Sequence, residues 1–317
     1  QGRRSFLERS AAAAVGESGN RGNRWYDKGL QLFVDGDGAL GCCIEHSALE
    51  GIESLDMVRR ILARVPVPII DNEESVAPSL ESLCWSRPQQ CPAEAAALEA
   101  HAATLAERHL EWDGVGSRSL AARSISPDAL LQLAVQLTYA RLHGSGDGDG
   151  DGDVTVVYES VSTGHFIGGR TATGRPATPE ARAFVRQPTR EALLRAAASH
   201  DAMLARVSGG GGFDRHVLCL NDVAGRELLE EERHWVLSTS NIGDPALMPS
   251  YAPATRDGYG VIYNFQPEAM RVIVTADARS TRTNPDAFLT ALHGAMAELR
   301  DLLPLETRRR SLVSRDA

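Results

Sequence analysis

No apolar run in this 317-residue chain reaches the ~18 positions that a membrane-spanning helix needs, so a soluble protein with no membrane span is expected. Positive charge is also scarce. Lys plus Arg number 33 against 42 Asp plus Glu, a net charge of −9 and a pI near 5.5. Nucleic acid and anionic membrane surfaces call for a basic face that displaces counterions, so neither is an expected partner, although a local basic pocket for a phosphorylated cofactor stays open. Five cysteines (Cys42, Cys43, Cys84, Cys91, Cys219) contain no CxxC pair and no metal-ligand spacing. Their odd count and the adjacent Cys42 and Cys43 suit a reducing compartment, and no resident metal is expected. No secretory h-region follows Gln1, the Ser314-Arg315-Asp316-Ala317 ending is not a peroxisomal one, and no internal repeat is evident. Because the chain opens on Gln1 and not on Met, a fragment is expected.

What is present suffices for a core: 43% hydrophobic against 24% charged residues, at a length that suggests about two domains. Leu30–Val34 and Ala39–Ile44 flank Asp35-Gly36-Asp37-Gly38 and read as a hairpin that ends on Glu45-His46-Ser47. Asp56–Val65 has helical spacing, and Val65–Leu80 is a Pro-rich acidic connector. Leu83–Trp85 reads as a short strand and Pro92–His109 as an Ala-rich helix. Ser126-Pro127-Asp128 opens a helix with Leu130, Leu133, Ala134, Leu137 and Ala140 on one side. Gly144–Asp153 reads as a solvated insertion whose aspartates only mimic the start of a calcium loop. Val154–Glu159 and Trp235–Ser240 are strands, Arg190–Val207 and Val217–Glu231 helices. Gly260–Asn264 and Met270–Ala276 pair as strands before a closing helix, Pro285–Leu303. This alternation favours an α/β fold.

His46 is the side chain best placed to take and return a proton near neutral pH, and Glu50 can brace its loop before Gly51 turns the chain. Alone, a histidine near a glutamate more often satisfies a turn. The remaining histidines read as single residues on polar helices and loops, without ligand spacing. The hydroxyls of Ser238-Thr239-Ser240 read alone as those of an exposed edge strand.

Asn23-Arg24-Trp25-Tyr26-Asp27-Lys28, followed by Glu45-His46-Ser47 and Glu50-Gly51, resembles the choline/carnitine O-acyltransferase family, with HxxxEG close to the HxxxDG of CoA-dependent acyltransferases. Further blocks follow in the family's order. They are the Ser126–Arg141 segment, Tyr158-Glu159-Ser160 with Gly169-Arg170-Thr171 and Arg175, Phe213-Asp214-Arg215-His216, Leu237–Ser240, and Asp257–Asn264. Together they cover residues ~22 to ~304, in the C-terminal half of the family.

The resemblance implies a chloramphenicol-acetyltransferase-like, two-domain CoA-dependent fold whose first domain is incomplete. Residues 1–88 would be the tail of the first domain, with the catalytic histidine, and 89–317 the second domain. It implies reversible acyl transfer between acyl-CoA and the carnitine hydroxyl, without a covalent acyl-enzyme. His46 would be the base, Ser240 the oxyanion partner and Glu50 a supporting residue. Tyr158, Thr171 and Arg215 would bind the carnitine carboxylate, with Ser238 beside them and Tyr251 near the trimethylammonium. Choline-specific members lack the equivalent threonine and arginine, which favours carnitine here. Asp128 and Glu159 match positions on the coenzyme A side, and Arg118 and Arg123 stand near the place of the family's absent phosphate-binding lysines. No permanently bound cofactor is implied. A monomer in mitochondria or peroxisomes, with a place in fatty acid metabolism, is the expectation. The alternatives are a choline acetyltransferase-type enzyme and a non-catalytic fragment that binds carnitine or acyl-CoA.

Overall fold

The computed structural model describes residues 28–34, 40–46, 49–64, 92–113, 115–144, 156–226, 235–245 and 247–303. These form two compact units that divide between Ala103 and Thr104. The divide expected near residue 88, the Leu83–Trp85 strand, Asn23–Asp27, Cys84, Cys91 and the insertion beyond Gly144 lie outside the described residues.

In the first unit, β1 (Leu30–Val34) and β2 (Leu40–Ile44) form the expected antiparallel hairpin, in register from Leu30↔Ile44 to Val34↔Leu40. The Glu45 N–H donates to the Gly29 carbonyl at 3.0 Å, which extends the ladder to the residue before His46. Helix α1 spans Gly51–Arg64 and starts earlier than the expected Asp56. Its start is fixed by polar groups: the Ser54 hydroxyl donates to the Glu50 carbonyl at 3.0 Å, and Glu53 suits the helix N-terminus. Helix α2 spans Pro92–Ala102.

The helix expected to run on to His109 stops at α2, and Leu105–Asp113 is instead a strand, β3. Nine register pairs with a distant strand, from Leu105↔Asp277 to Asp113↔Ala269, override local helix propensity. After β3 come α3 (Ser117–Ala121), α4 (Pro127–His143), β4 (Val157–Val161), β5 (Ala172–Gly174) and α5 (Pro179–Arg186). Then follow α6 (Arg190–Arg206), α7 (Asp214–Val223), β6 (Leu237–Asn241), β7 (Tyr259–Phe265), β8 (Ala269–Asp277) and α8 (Pro285–Asp301). The second unit is thus α/β, as expected.

Its mixed sheet has the order β3-β8-β7-β6-β4-β5. Strands β4, β6 and β7 are mutually parallel, and the other pairings are antiparallel. Val157, Leu237, Val261, Val272 and Val274 point to one face and pack with helices α4, α5, α6 and α8. Side-chain hydroxyls or amides accept from the N–H three residues on and start four helices, at Ser126, Thr178, Thr189 and Asn284. In α4 every residue from Ala129 to Thr138 is buried, so it lacks the solvent face that its apolar spacing suggested. Helix α7 ends well before the expected Glu231. Gly225, at φ +62°, takes the left-handed conformation that stops a helix, and its N–H donates to the Asp222 carbonyl at 3.0 Å.

Gly116 shows how tightly the turn between β7 and β8 is held. A Cβ there would stand 2.3 Å from the Pro267 carbonyl oxygen and 2.5 Å from the Glu268 backbone nitrogen. The neighbouring N–H groups of Ser117 and Arg118 already donate to Gln266 and Pro267, so the backbone has no room to yield. Gly116→Ala is expected to destabilise the chain by about 1–3 kcal/mol, read as a lower urea midpoint. Gly294→Ala in α8, where a Cβ meets nothing within 4 Å, should instead raise the midpoint slightly.

Candidate functional site

The strand pleat sorts the expected site residues onto two faces of the sheet. Tyr158 pairs with Ser238, Ser238 with Gly260 and Ser240 with Ile262, so Tyr158, Ser238 and Ser240 share the face turned away from the helices. Residues 247–256 fold over part of that face. The Tyr251 hydroxyl donates to the Ser238 carbonyl at 3.1 Å, and Thr275 Oγ1 donates to the Tyr251 carbonyl at 2.9 Å. Burial drives the Tyr251 phenol well above its ordinary value and keeps it a donor. The Tyr158 ring lies against Trp235, with centroids 4.6 Å apart. Ser238 is buried and Ser240 half-buried.

At the edge of the sheet, Arg215 in the first turn of α7 donates from Nε to the Thr171 carbonyl at 2.6 Å. The preceding Asp214 accepts from Arg175 Nε at 2.8 Å, an ion pair that pins this turn beside β5. Thr171 and Arg215 are therefore brought together, as are Tyr251 and Ser238. His46 and Glu50 belong to the first unit, His46 exposed and Glu50 buried at 7% exposure.

The helix-facing side carries a polar network at the carboxyl ends of β4, β6 and β7. Glu159 Oε2 lies 2.8 Å from His200 Nε2, and both residues are 2% exposed. Asp128, in the first turn of α4, accepts from the Tyr263 hydroxyl at 2.7 Å and from Asn241 Nδ2 at 2.8 Å. Gln132 donates to Thr239 Oγ1 at 2.8 Å and to the Tyr263 hydroxyl at 3.1 Å, and the Thr239 hydroxyl donates to the Tyr158 carbonyl at 2.9 Å. Donor atoms of Asp128, Glu159 and His200 lie within 4.8 Å of one another, a spacing that suits a metal ion as well as a shared proton.

Burial raises the Glu159 carboxyl to about 7, against the opposing pull of the His200 hydrogen bond and charge. For His200, burial disfavours the charged ring, but the hydrogen bond and charge of Glu159 outweigh it and raise its value. Burial and the charges of Asp128 and Glu159 keep the Tyr263 phenol protonated, hence a donor. Both raised groups bind protons in the folded chain that the unfolded chain has released. The stability that Glu159 and His200 lend is therefore full at acid pH. It falls as pH rises from about 4.5 to about 7 for Glu159, and above 6.5 for His200.

Arg118 and Arg123 are held differently. Arg118 is exposed and pairs with Glu268. Arg123 donates to the Arg300 and Leu303 carbonyls, and so caps the end of α8.

His200 corrects the reading of the spare histidines as polar-face residues. It sits on the buried stripe of α6 with Leu193, Ala196, Ala197 and Met203. That helical spacing was the available signal. Tyr263 and Gln132 were also missed, because their role exists only where three chain segments meet.

A model of the choline/carnitine O-acyltransferase family matches residues 4–294. Human choline O-acetyltransferase is 30% identical over 92% of this chain and 42% of its own length. Rat carnitine O-acetyltransferase is 29% identical over 91% of this chain and 49% of its own. A solved chloramphenicol acetyltransferase aligns with 63% of this chain and 89% of its own at 14% identity, with a TM-score of 0.34. The chain thus spans less than half the length of the curated relatives it matches.

Proposed function

Since this chain belongs to the choline/carnitine O-acyltransferase family, we propose that it is the C-terminal catalytic half of an enzyme that moves an acyl group between coenzyme A and the hydroxyl of carnitine. In this reading His46 is the general base on the hydroxyl, and attack on the thioester carbon needs no acyl-enzyme. Ser240 donates to the oxyanion that develops. Asp128, Glu159 and the exposed Arg118 stand on the coenzyme A side, and residues 1–88 are the tail of the first acyltransferase domain.

The observation that carries carnitine as acceptor is the Arg215–Thr171 contact. Holding the guanidinium through Nε leaves its Nη1–Nη2 edge to meet a carboxylate, which carnitine has and choline lacks. Choline is the second reading, favoured by the 30% identity to human choline O-acetyltransferase. The test is CoA release from acetyl-CoA with L-carnitine or choline as acceptor. Arg215→Gln should lower kcat/KM for carnitine by about 10- to 150-fold, the worth of a charge-assisted hydrogen bond, while choline turnover stays unchanged. Faster turnover of choline than of carnitine by the wild-type chain would overturn the carnitine reading.

A further inference from the structure

The serine read as the oxyanion partner lies near the end of its strand. The register between β4 and β6 closes at Glu159↔Thr239, whereas that between β6 and β7 runs on through Ser240↔Ile262 and Asn241↔Tyr263. At Ser240 the ladder is therefore the one with β7, and past Asn241 the chain leaves the strand through Gly243, at φ +64°. Strand ends open more readily than the middle of a sheet.

What holds this end comes from α4. Asp128 and Gln132 are one helical turn apart, about 6 Å along the axis. Thr239 and Asn241 share the helix-facing side of β6, about 7 Å apart along the strand. The two spacings match, and each helix residue meets one strand residue. Gln132 donates to Thr239 Oγ1 at 2.8 Å, and Asn241 Nδ2 donates to Asp128 Oδ1 at 2.8 Å. Ser240 lies between these two rungs, on the opposite face. The outer rung ties more together. The same Asp128 oxygen accepts from the Tyr263 hydroxyl at 2.7 Å, and Tyr263 is the register partner of Asn241, so one oxygen joins β6 and β7 at one level. The other end of the Asn241 amide accepts from the Gly243 N–H at 3.1 Å, which fixes the turn out of the strand.

We propose that Asn241 is a positioning residue for the oxyanion donor. Held by Asp128 on one side and by Gly243 on the other, its side chain keeps the backbone of Ser240 from shifting as negative charge builds on the thioester oxygen. This rests on the reading of Ser240 as the oxyanion partner. Thr239 contributes less to that placement, because the ladder with β4 already holds it. Asn241 is exposed, so its replacement leaves the core as it is.

The experiment is a double-mutant cycle on the full chain, with wild type, Asn241→Ala, Ser240→Ala and the double variant. It is read as kcat and KM for CoA release from acetyl-CoA with the preferred acceptor, L-carnitine or choline. Asn241→Ala should lower kcat about tenfold, an order of magnitude less than the ~100-fold that a misplacement of about 1 Å can cost. KM for both substrates should stay nearly unchanged. In the Ser240→Ala background the same change should cost almost nothing, because no donor is left to position. A tenfold loss that persists in that background marks a role through the fold alone and overturns the proposal. Wild-type kcat in Asn241→Ala overturns it as well, and both results leave the transferase reading standing. Wild-type kcat in Ser240→Ala, or a wild-type chain without acceptor-dependent release, overturns the proposal and the reading of Ser240 together. Should Asn241→Ala not fold, Asn241→Asp takes its place in the cycle. It keeps the acceptor for the Gly243 N–H and loses the donor to Asp128, so the same loss and the same dependence on Ser240 are expected, and their absence overturns the proposal.

Discussion

His46→Ala is expected to lower carnitine-dependent release of CoA from acetyl-CoA by about 100- to 10,000-fold, the usual worth of a positioned general base. The imidazole leaves the end of β2 one residue after the hairpin ladder closes at Glu45, and it is exposed. Glu50, just before α1, is buried and its carbonyl is tied by Ser54. The backbone before the histidine is thus held by the hairpin, while the ring itself is exposed. The loss should fall on kcat, with unfolding midpoints of variant and wild type alike, since an exposed ring contributes little to stability. Release that persists in the variant at a tenth of the wild-type rate or more would remove His46 from the mechanism.

Ser240→Ala should cost about 100- to 1000-fold in kcat, the typical loss when one oxyanion donor is removed. Strand β6 lies between parallel neighbours, β4 and β7, so its backbone is held from both sides. Ser240 shares the face turned away from the helices with Ser238, whose carbonyl is taken by Tyr251, while Thr239 points to the helices and bonds the Tyr158 carbonyl. A donor on such a strand needs little reorganisation when charge develops. Thr239→Ala is the informative partner. It should reduce stability by breaking the Gln132–Thr239–Tyr158 chain of hydrogen bonds, with a far smaller effect on kcat. Equal kcat losses in the two variants would argue that Ser240 acts through the fold.

How much was legible follows from where each signal resides. Helix starts marked by a capping hydroxyl and a proline, as at Ser126-Pro127, are local and were read correctly, although the same signature at Thr178-Pro179 was passed over because α5 is so short. Strands β7 and β8 are separated by only a short turn in sequence and pair as expected. Strand β3 failed this reading because LAERHLEWD takes strand form only against β8, much further along the chain. The site divides in the same way. Arg215 and Thr171 stood in readable motifs, and the structure brings them into contact. His200 did not, since Glu159 and Asp128 reach it from separate segments and a buried histidine on α6 leaves only a periodicity to notice.

The pairing of Leu105 with Asp277 also sets a timetable for synthesis. At roughly 5–20 residues per second, a ribosome needs on the order of ten to thirty seconds to deliver β8 after β3 has emerged. For that interval the newborn β3 has an open hydrogen-bonding edge and no native partner. Glu107, Arg108 and Glu111 along it are charges of the kind that discourage a strand from joining the wrong chain. The last strand of this sheet to be made shelters one edge of the first, so β3 relies on its own charges against mispairing until β8 arrives.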